Sequence, residues 1–315
     1  MMSHFSDHPR LAQQTQAAIE SVRQQTDNDW LLVIVDDVSP EPAGVAVVEA
    51  AAEADPDRIV LLRNETNLGQ GAARNRGVVE AHRRGCDFVM HLDCDDLAHP
   101  RRVEVTREVF AAQPDVVFIY SPFIVIDEQG TEWEREKLTP SIVEILEQFD
   151  REPLAGADCW LRMAIDTGYV SLTSTVSART STMLRYPFPA RARGAEDAHC
   201  WIRIFAGDGL VHFEPSIPSK YRIPSGEIGS SERARHGGDS YYRLVVNAYR
   251  QMYTHVLLAS LKRGATPPSD AGDIYVAALR RLETMMNGEG QAELVAEIAD
   301  EIDMLTRALG GPEAG

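Results

Sequence analysis

The stretch Phe88-Val89-Met90-His91-Leu92-Asp93-Cys94-Asp95-Asp96 is an apolar run that breaks into three carboxylates within four positions. Four to eight apolar residues bounded by turn signals read as a core strand, and in open α/β sheets ligands sit beyond the carboxyl ends of the strands. The three acids are therefore expected at the mouth of a cleft. Clustered carboxylates repel one another unless a cation neutralises them, and a hard divalent ion is the usual partner for oxygen ligands. Taken alone, Asp95 and Asp96 read equally well as caps for a helix starting near Pro100, so the surrounding sequence has to decide.

Upstream, residues 30–35 form a dense apolar strand ending in Asp36-Asp37, residues 40–54 a helical stretch, residues 58–62 a strand, and residues 69–84 a helix leading into the opening stretch. This alternation predicts a parallel sheet with crossover helices. Parallel strands point the same way, so Asp36-Asp37 and residues 93–96 should emerge on one rim. Capping does not account for that convergence. Between the strands lies Asn67-Leu68-Gly69-Gln70-Gly71-Ala72-Ala73-Arg74, which lacks the third glycine of a dinucleotide-binding turn. Arg74 reads either as an anion or base contact or as an exposed helix arginine.

Composition narrows the function classes. The 315 residues, 44% of them apolar, suffice for a large core. With 31 basic against 48 acidic residues the net charge is −17, which argues against nucleic acid or an anionic membrane as the main partner. Cys86, Cys94, Cys159 and Cys200 show no C-x-x-C spacing, so neither a zinc site nor a disulfide framework is indicated. No apolar run is long enough to span a bilayer, and residues 1–10 lack the apolar core of a signal peptide, so a soluble, cytoplasmic protein is expected.

Several motifs in order resemble the family 2 nucleotide-sugar glycosyltransferases with the GT-A fold. They are Ala18-Ile19-Glu20-Ser21-Val22 with Gln25-Thr26, Val33-Ile34-Val35-Asp36-Asp37-Val38-Ser39, Asn67-x-Gly69 with Ala73-Arg74-Asn75, Leu92-Asp93-Cys94-Asp95-Asp96, and Gly194-Ala195-Glu196-Asp197 with Trp201-Ile202-Arg203. The likeness covers residues 10–223. It implies a GT-A-like, Rossmann-type, mostly parallel α/β sheet flanked by helices. It also implies an inverting, metal-assisted enzyme of the hexosyltransferase type that moves a sugar from a nucleoside diphosphate donor, a UDP-sugar favoured, to a hydroxyl acceptor such as a saccharide or small molecule. By resemblance, Asp37 meets the nucleobase, Arg74 lines the nucleotide site, Asp93 leans towards the ribose and shares the metal, and Asp95 ligates a divalent Mg²⁺ or Mn²⁺. Asp96 is expected to cap a helix start.

The second chemical centre is Gly194-Ala195-Glu196-Asp197. An inverting transfer needs a base for the acceptor proton, and a carboxylate suffices; an acidic pair heading a helix is also favourable without any chemistry. Asp197 matches the family's base. Glu196 is then expected to orient the acceptor, with Trp201 one turn further on the acceptor side. The expected domains are 1–235, with a nucleotide half at about 1–97 and an acceptor half at 98–235, and a helical extension at 236–315. Three amphipathic stripes in that extension pack on the catalytic domain or form a homodimer.

Two departures from the family stand out. The apolar strand that should precede residue 9 is missing or truncated, which would leave a hole in the sheet; the expectation is a start codon further upstream, with Met1-Met2-Ser3 as the strand's remnant. Secondly, Tyr221-Arg222-Ile223-Pro224 lacks the histidine that commonly follows such a Tyr-Arg pair. Arg222 is still expected to meet the diphosphate, residues 225–231 read as a lid, and His236 is a candidate substitute ligand. The rival readings are a non-catalytic nucleotide-sugar-binding protein derived from such an enzyme, and a sugar-1-phosphate nucleotidyltransferase.

Overall fold

The computed structural model describes residues 1–190, 194–223 and 237–310. It divides into two compact units that interleave along the chain: Met1–Glu134, Ser171–Ala192 and Gly209–Gly226 form the first, and Arg135–Val170, Arg193–Asp208 and Glu227–Gly315 the second. The division differs from the boundary at residue 235 read from sequence, because the C-terminal helices share a unit with residues 135–170 and 193–208.

Among the described residues the strands all belong to the first unit: β1 (Met2–His4), β2 (Leu32–Asp36), β3 (Ile59–Arg63), β4 (Phe88–Met90), β5 (Leu92–Asp93), β6 (Val116–Tyr120), β7 (Phe123–Ile126), β8 (Val176–Arg179), β9 (Leu210–Phe213) and β10 (Ser219–Arg222). A parallel sheet runs β3-β2-β1-β5, a mixed sheet runs β4-β8-β6-β9, and β10 pairs with β7. Only the β4-β8 and β6-β8 pairings are antiparallel, so among the described residues the sheets are mostly parallel. Helices Arg10–Arg23 and Pro42–Ala54 pack on the parallel sheet, and their buried Ala18, Ile19, Val48 and Ala51 close a core over Met2, Leu32 and Ile34. A fully buried aliphatic side chain of this size stabilises by about 2 kcal/mol.

The strand expected to be missing is present. Met2, Ser3 and His4 are all buried and fill the central position between β2 and β5, with Met2 opposite Ile34 and Leu92. Three residues reading Met-Ser-His carry no alternating pattern, which is why the strand is invisible to periodicity. The physical objection to a hole in the sheet holds, and the chain meets it with the shortest strand that can bridge both neighbours. One support for the non-catalytic reading goes with it.

A second correction concerns the opening stretch, which is two strands rather than one. β4 joins the mixed sheet, β5 the parallel sheet, and the chain changes sheets at His91. Arg102 pins the changeover: its buried guanidinium donates to the carbonyls of His91 and Val176, each at 2.8 Å. Burial brings the Arg102 guanidinium down to about 10. The His91 ring packs edge-on against Phe188 at 5.3 Å, and burial, with the nearby Arg74 and Arg102 guanidinium groups, holds it well below the usual imidazole range and therefore neutral.

The second unit is helical. Helix Pro140–Arg151 buries Ile142 and Ile145, a short turn Trp160–Arg162 runs into a π-helical turn Met163–Thr167, and helix Glu196–Phe205 follows. The three C-terminal stripes are helices Gly238–Arg263, Ala271–Gly288 and Ala292–Leu309. They bury Val245, Ala248, Met252 and Val256, then Ala278, Leu279 and Leu282, then Leu294, Ile298 and Ile302. Among the described residues no helix is long and apolar enough to cross a membrane.

Candidate active site

The parallel register fixes one rim of the candidate site. His4 lies opposite Asp36, and Ser3 opposite Asp93, so the carboxyl ends of β2, β1 and β5 share one rim. Asp36 itself turns inward: it accepts from Ser39 Oγ and lies 2.8 Å from His4 Nδ1. Burial opposes ionisation there, but the bonds from His4 and Ser39 hold the carboxyl below the usual range.

Asp37 is buried and fully engaged. Its Oδ1 accepts from Asn64 Nδ2 at 2.6 Å and from the Leu68 N–H at 2.9 Å, and its Oδ2 accepts from the Gly69 N–H at 2.7 Å. Its carbonyl accepts from Asn67 Nδ2 at 3.0 Å. The Asn67-Leu68-Gly69 loop is thus folded around this carboxylate, in the way backbone N–H groups wrap an anion. The next residue, Val38, sits at φ 64, a left-handed conformation that is an outlier for a β-branched side chain.

Arg74 is buried rather than an exposed helix residue. It extends from helix Gln70–Arg83 to Asp93 Oδ1 at 2.8 Å, is steadied by Gln70 Oε1 at 3.0 Å, and lies over the Phe188 ring. The Asp93 N–H donates to Ser174 Oγ at 2.9 Å. Two residues on, burial and then the charge of Asp93 push the half-buried Asp95 carboxyl up to about 6, with Arg222 and Arg10 pulling the other way. Burial, Asp95 and Asp93 together drive Asp96 well above the usual carboxylate range.

Asp96 is not a helix cap. The helix begins at Arg102 with Arg101 in the N-cap position and no side-chain cap bond, whereas Asp96 is buried and its Oδ1 accepts from the Arg222 N–H at 2.8 Å. Arg222 in turn donates its Nε to the Asp95 carbonyl at 2.7 Å and Nη1 to the Asp127 carbonyl at 2.6 Å. The last residue of β10 therefore braces the D-x-D turn from side chain and backbone together. Pro224, the segment 225–231 read as a lid, and His236 lie outside the described residues.

In the second unit, Gly194 and Ala195 are both left-handed, Ala195 at φ 53, and they swing the chain into helix Glu196–Phe205. Asp197 falls in its first turn, where a carboxylate is favoured by the helix dipole. Its Oδ1 accepts from the Ala198 N–H at 2.8 Å and its Oδ2 from the Tyr169 hydroxyl. Glu196 is half-buried beside it. Trp201, expected on the acceptor side, is wholly buried one turn beyond, so its ring has no exposed surface to offer an acceptor. Sequence reasoning missed Tyr169, Ser174 and Asn64; Tyr169 and Asn64 sit in irregular segments and Ser174 in the short 3-10 turn Thr173–Thr175, each far along the chain from the residue it bonds.

Comparison with known proteins bears on this arrangement. The profile of the family described as Glycosyl transferase family 2 matches residues 10–168. An uncharacterized glycosyltransferase of Methanocaldococcus jannaschii is 26% identical over 230 residues, which cover 72% of each chain. An Escherichia coli UDP-Glc:alpha-D-GlcNAc-diphosphoundecaprenol beta-1,3-glucosyltransferase is 24% identical over 220 residues, 69% of this chain and 74% of that one. Among solved structures, S. aureus TarS in complex with UDP-GlcNAc matches with a TM-score of 0.57 at 13% identity, over 98% of this chain and 90% of that one. The mannosyltransferase PcManGT from Pyrobaculum calidifontis, in complex with GDP-Man and Mn2+, matches with a TM-score of 0.51 at 15% identity, over 97% and 82%. At such identities the structures speak for the fold, which is GT-A. The family match extends over half of the chain, and the chain belongs to glycosyl transferase family 2 and is a glycosyltransferase.

Proposed function

We propose that this glycosyltransferase moves a sugar, with inversion, from a nucleoside diphosphate sugar to an acceptor hydroxyl, with Asp197 as general base and a UDP-sugar as the favoured donor. The observation that carries the reading is the pair Asp93 and Asp95 at the carboxyl end of β5, on the rim shared with Asp37 and engaged by Arg74. UDP is favoured because the TarS complex holds UDP-GlcNAc and the Escherichia coli relative is named for UDP-Glc.

The donor set fits a divalent ion. Asp93 and Asp95 offer hard oxygen ligands, and a cation would offset both the burial and the neighbouring Asp93 charge that together raise Asp95 to about 6. Among the described residues no three His, Cys, Asp or Glu side chains gather as a complete metal cage. Mg²⁺ and Mn²⁺ sites at diphosphates commonly use one or two carboxylates with phosphate oxygens completing the shell. When bound, the ion would neutralise charge on the departing nucleoside diphosphate.

The remaining work falls to the chain. Asp37 orders the Asn67-Leu68-Gly69 loop and is assigned the nucleobase; Arg74 and Arg222 supply positive charge to the donor side. Asp197 accepts the acceptor hydroxyl's proton as the oxygen bonds to the anomeric carbon and the bond to the diphosphate oxygen breaks. Glu196 is assigned the orientation of the acceptor, and Trp201 supports that loop. In a thermal-shift and nucleotide-release assay, UDP and UDP-sugars should stabilise the protein only with Mn²⁺, and Asp95→Ala should abolish that stabilisation. Asp197→Asn should keep the shift and lose turnover by about 10³-fold. Turnover undiminished in chelator would remove the metal role of Asp95, and undiminished turnover in Asp197→Asn would remove the base.

A further inference from the structure

Asp197 is a short side chain on a broad terminal torsion, and a general base works only when one of its oxygens points at the proton it takes. The Ala198 N–H donates to Oδ1 from within the same turn. The second restraint comes from a distance of 28 residues, where the Tyr169 hydroxyl meets Oδ2.

Tyr169 is itself held by elements further along the chain. It follows the π-helical turn Met163–Thr167 and Gly168, which is left-handed at φ 71. π-turns inside helices recur at functional sites because they re-aim the residues that follow. The Gly168 carbonyl accepts from the buried Tyr249 hydroxyl at 2.9 Å, and the Thr167 carbonyl accepts from Arg281 Nη2 at 2.8 Å. A Cβ on residue 168 would lie 2.4 Å from Met285 Sδ and 3.2 Å from Arg281 Nε. Two C-terminal helices, Gly238–Arg263 and Ala271–Gly288, therefore clamp the backbone of residues 167–168 and fix where the phenol points.

We propose that Tyr169 is the positioning residue for Asp197, and that the C-terminal helices contribute to catalysis by holding Tyr169 through Tyr249 and Arg281. The proposal rests on the assignment of Asp197 as base. Tyr169 remains a donor throughout: burial, then the charge of Asp197, raises its hydroxyl well above the usual phenol range. Charged and ionisable groups facing the pair include Glu196, Tyr249 and, beyond Tyr249, Arg281.

Tyr169→Phe keeps the ring and deletes the hydroxyl. A hydrogen bond to a charged group is worth enough that kcat should fall on the order of tenfold. Donor KM should stay within about twofold, because the substitution touches no residue assigned to the donor. Tyr249→Phe releases the Gly168 carbonyl and should lower kcat in the same direction by about threefold. Unchanged kcat in Tyr169→Phe, or a donor KM that rises as far as kcat falls, overturns the positioning role. Should that variant fail to fold, an unchanged kcat in Tyr249→Phe overturns it instead. The two readings fail separately: an active Asp197→Asn removes the base itself, whereas an inactive Asp197→Asn beside an unaltered Tyr169→Phe removes only the positioning.

Discussion

Asp37 and Asp197 are both carboxylates at the start of a chemical motif, yet the two units hold them by opposite means. Asp37 is wrapped by donors from residues 64, 68 and 69, two of them backbone N–H groups, at the end of a strand fixed in a parallel sheet. Asp197 accepts from a local N–H and from a phenol whose own position depends on helices beginning at residues 238 and 271. A site built on backbone is rigid and local. A site built on side chains borrowed from distant helices is adjustable, and its integrity depends on the whole unit.

The largest expected effect tests whether Asp37 is structural in this strong sense. Asp37→Asn turns an amide N–H₂ towards donors that need an acceptor, and losing charge-assisted bonds to buried N–H groups should cost about 3 kcal/mol. Urea unfolding should register that loss, while Asp197→Asn, which can still accept from the Ala198 N–H, should cost about 1 kcal/mol or less. Equal losses in the two variants would erase the distinction between the sites.

Next in size is the pH dependence of the donor rim. A carboxyl whose folded pKa lies above its unfolded value binds its proton more tightly when folded, so stability falls as pH rises between the two values. For Asp95, pushed up from the ordinary 3.8 to about 6, the loss across that window should be on the order of 2 kcal/mol without metal. Asp95→Asn should therefore be more stable than the parent protein at pH 7 and indistinguishable from it below about pH 4. Added Mn²⁺ with UDP should reverse the order at pH 7. A parent protein with flat stability from pH 4 to 7 would show that the cluster is already neutralised by Arg74 and Arg222.

The same contrast explains what the sequence reveals. The donor rim was legible because its parts are local: an apolar strand, an acidic pair and the Asn67-Leu68-Gly69 loop each carry their own pattern. β1 was not, since three residues are too few for a period of two, and only the cost of a broken sheet pointed to it. The change of sheet at His91 was hidden because an apolar run looks the same whichever sheet it joins; the cause, Arg102, reaches the break from a helix eleven residues on. Asp96 was mistaken for a cap because proximity to Pro100 is visible in a sequence and the Arg222 N–H, 126 residues away, is not. Tyr169 had no signal at all, for it follows an irregular turn and its partner is set by tertiary packing.

The smallest effect compares the left-handed residues beside the two carboxylates. Val38 follows Asp37 at φ 64 and is 42% exposed; Ala195 lies two residues before Asp197 at φ 53. A left-handed conformation costs an L-residue about 1–2 kcal/mol, with a β-branched side chain at the high end. Glycine removes that strain but loses about 0.5–1 kcal/mol more backbone entropy on folding. For Val38 the strain exceeds the entropy and little packing is lost, so Val38→Gly should stabilise the protein by about 0.5–1 kcal/mol. For Ala195 the two terms nearly cancel, and Ala195→Gly should change stability by less than about 0.5 kcal/mol. Chemical denaturation of both variants decides the matter. A destabilised Val38→Gly would mean that the valine makes a compensating contact. Strain that does persist at Val38 is tolerated because hydrogen bonds on the Asp37 carboxylate and its carbonyl over-determine the turn.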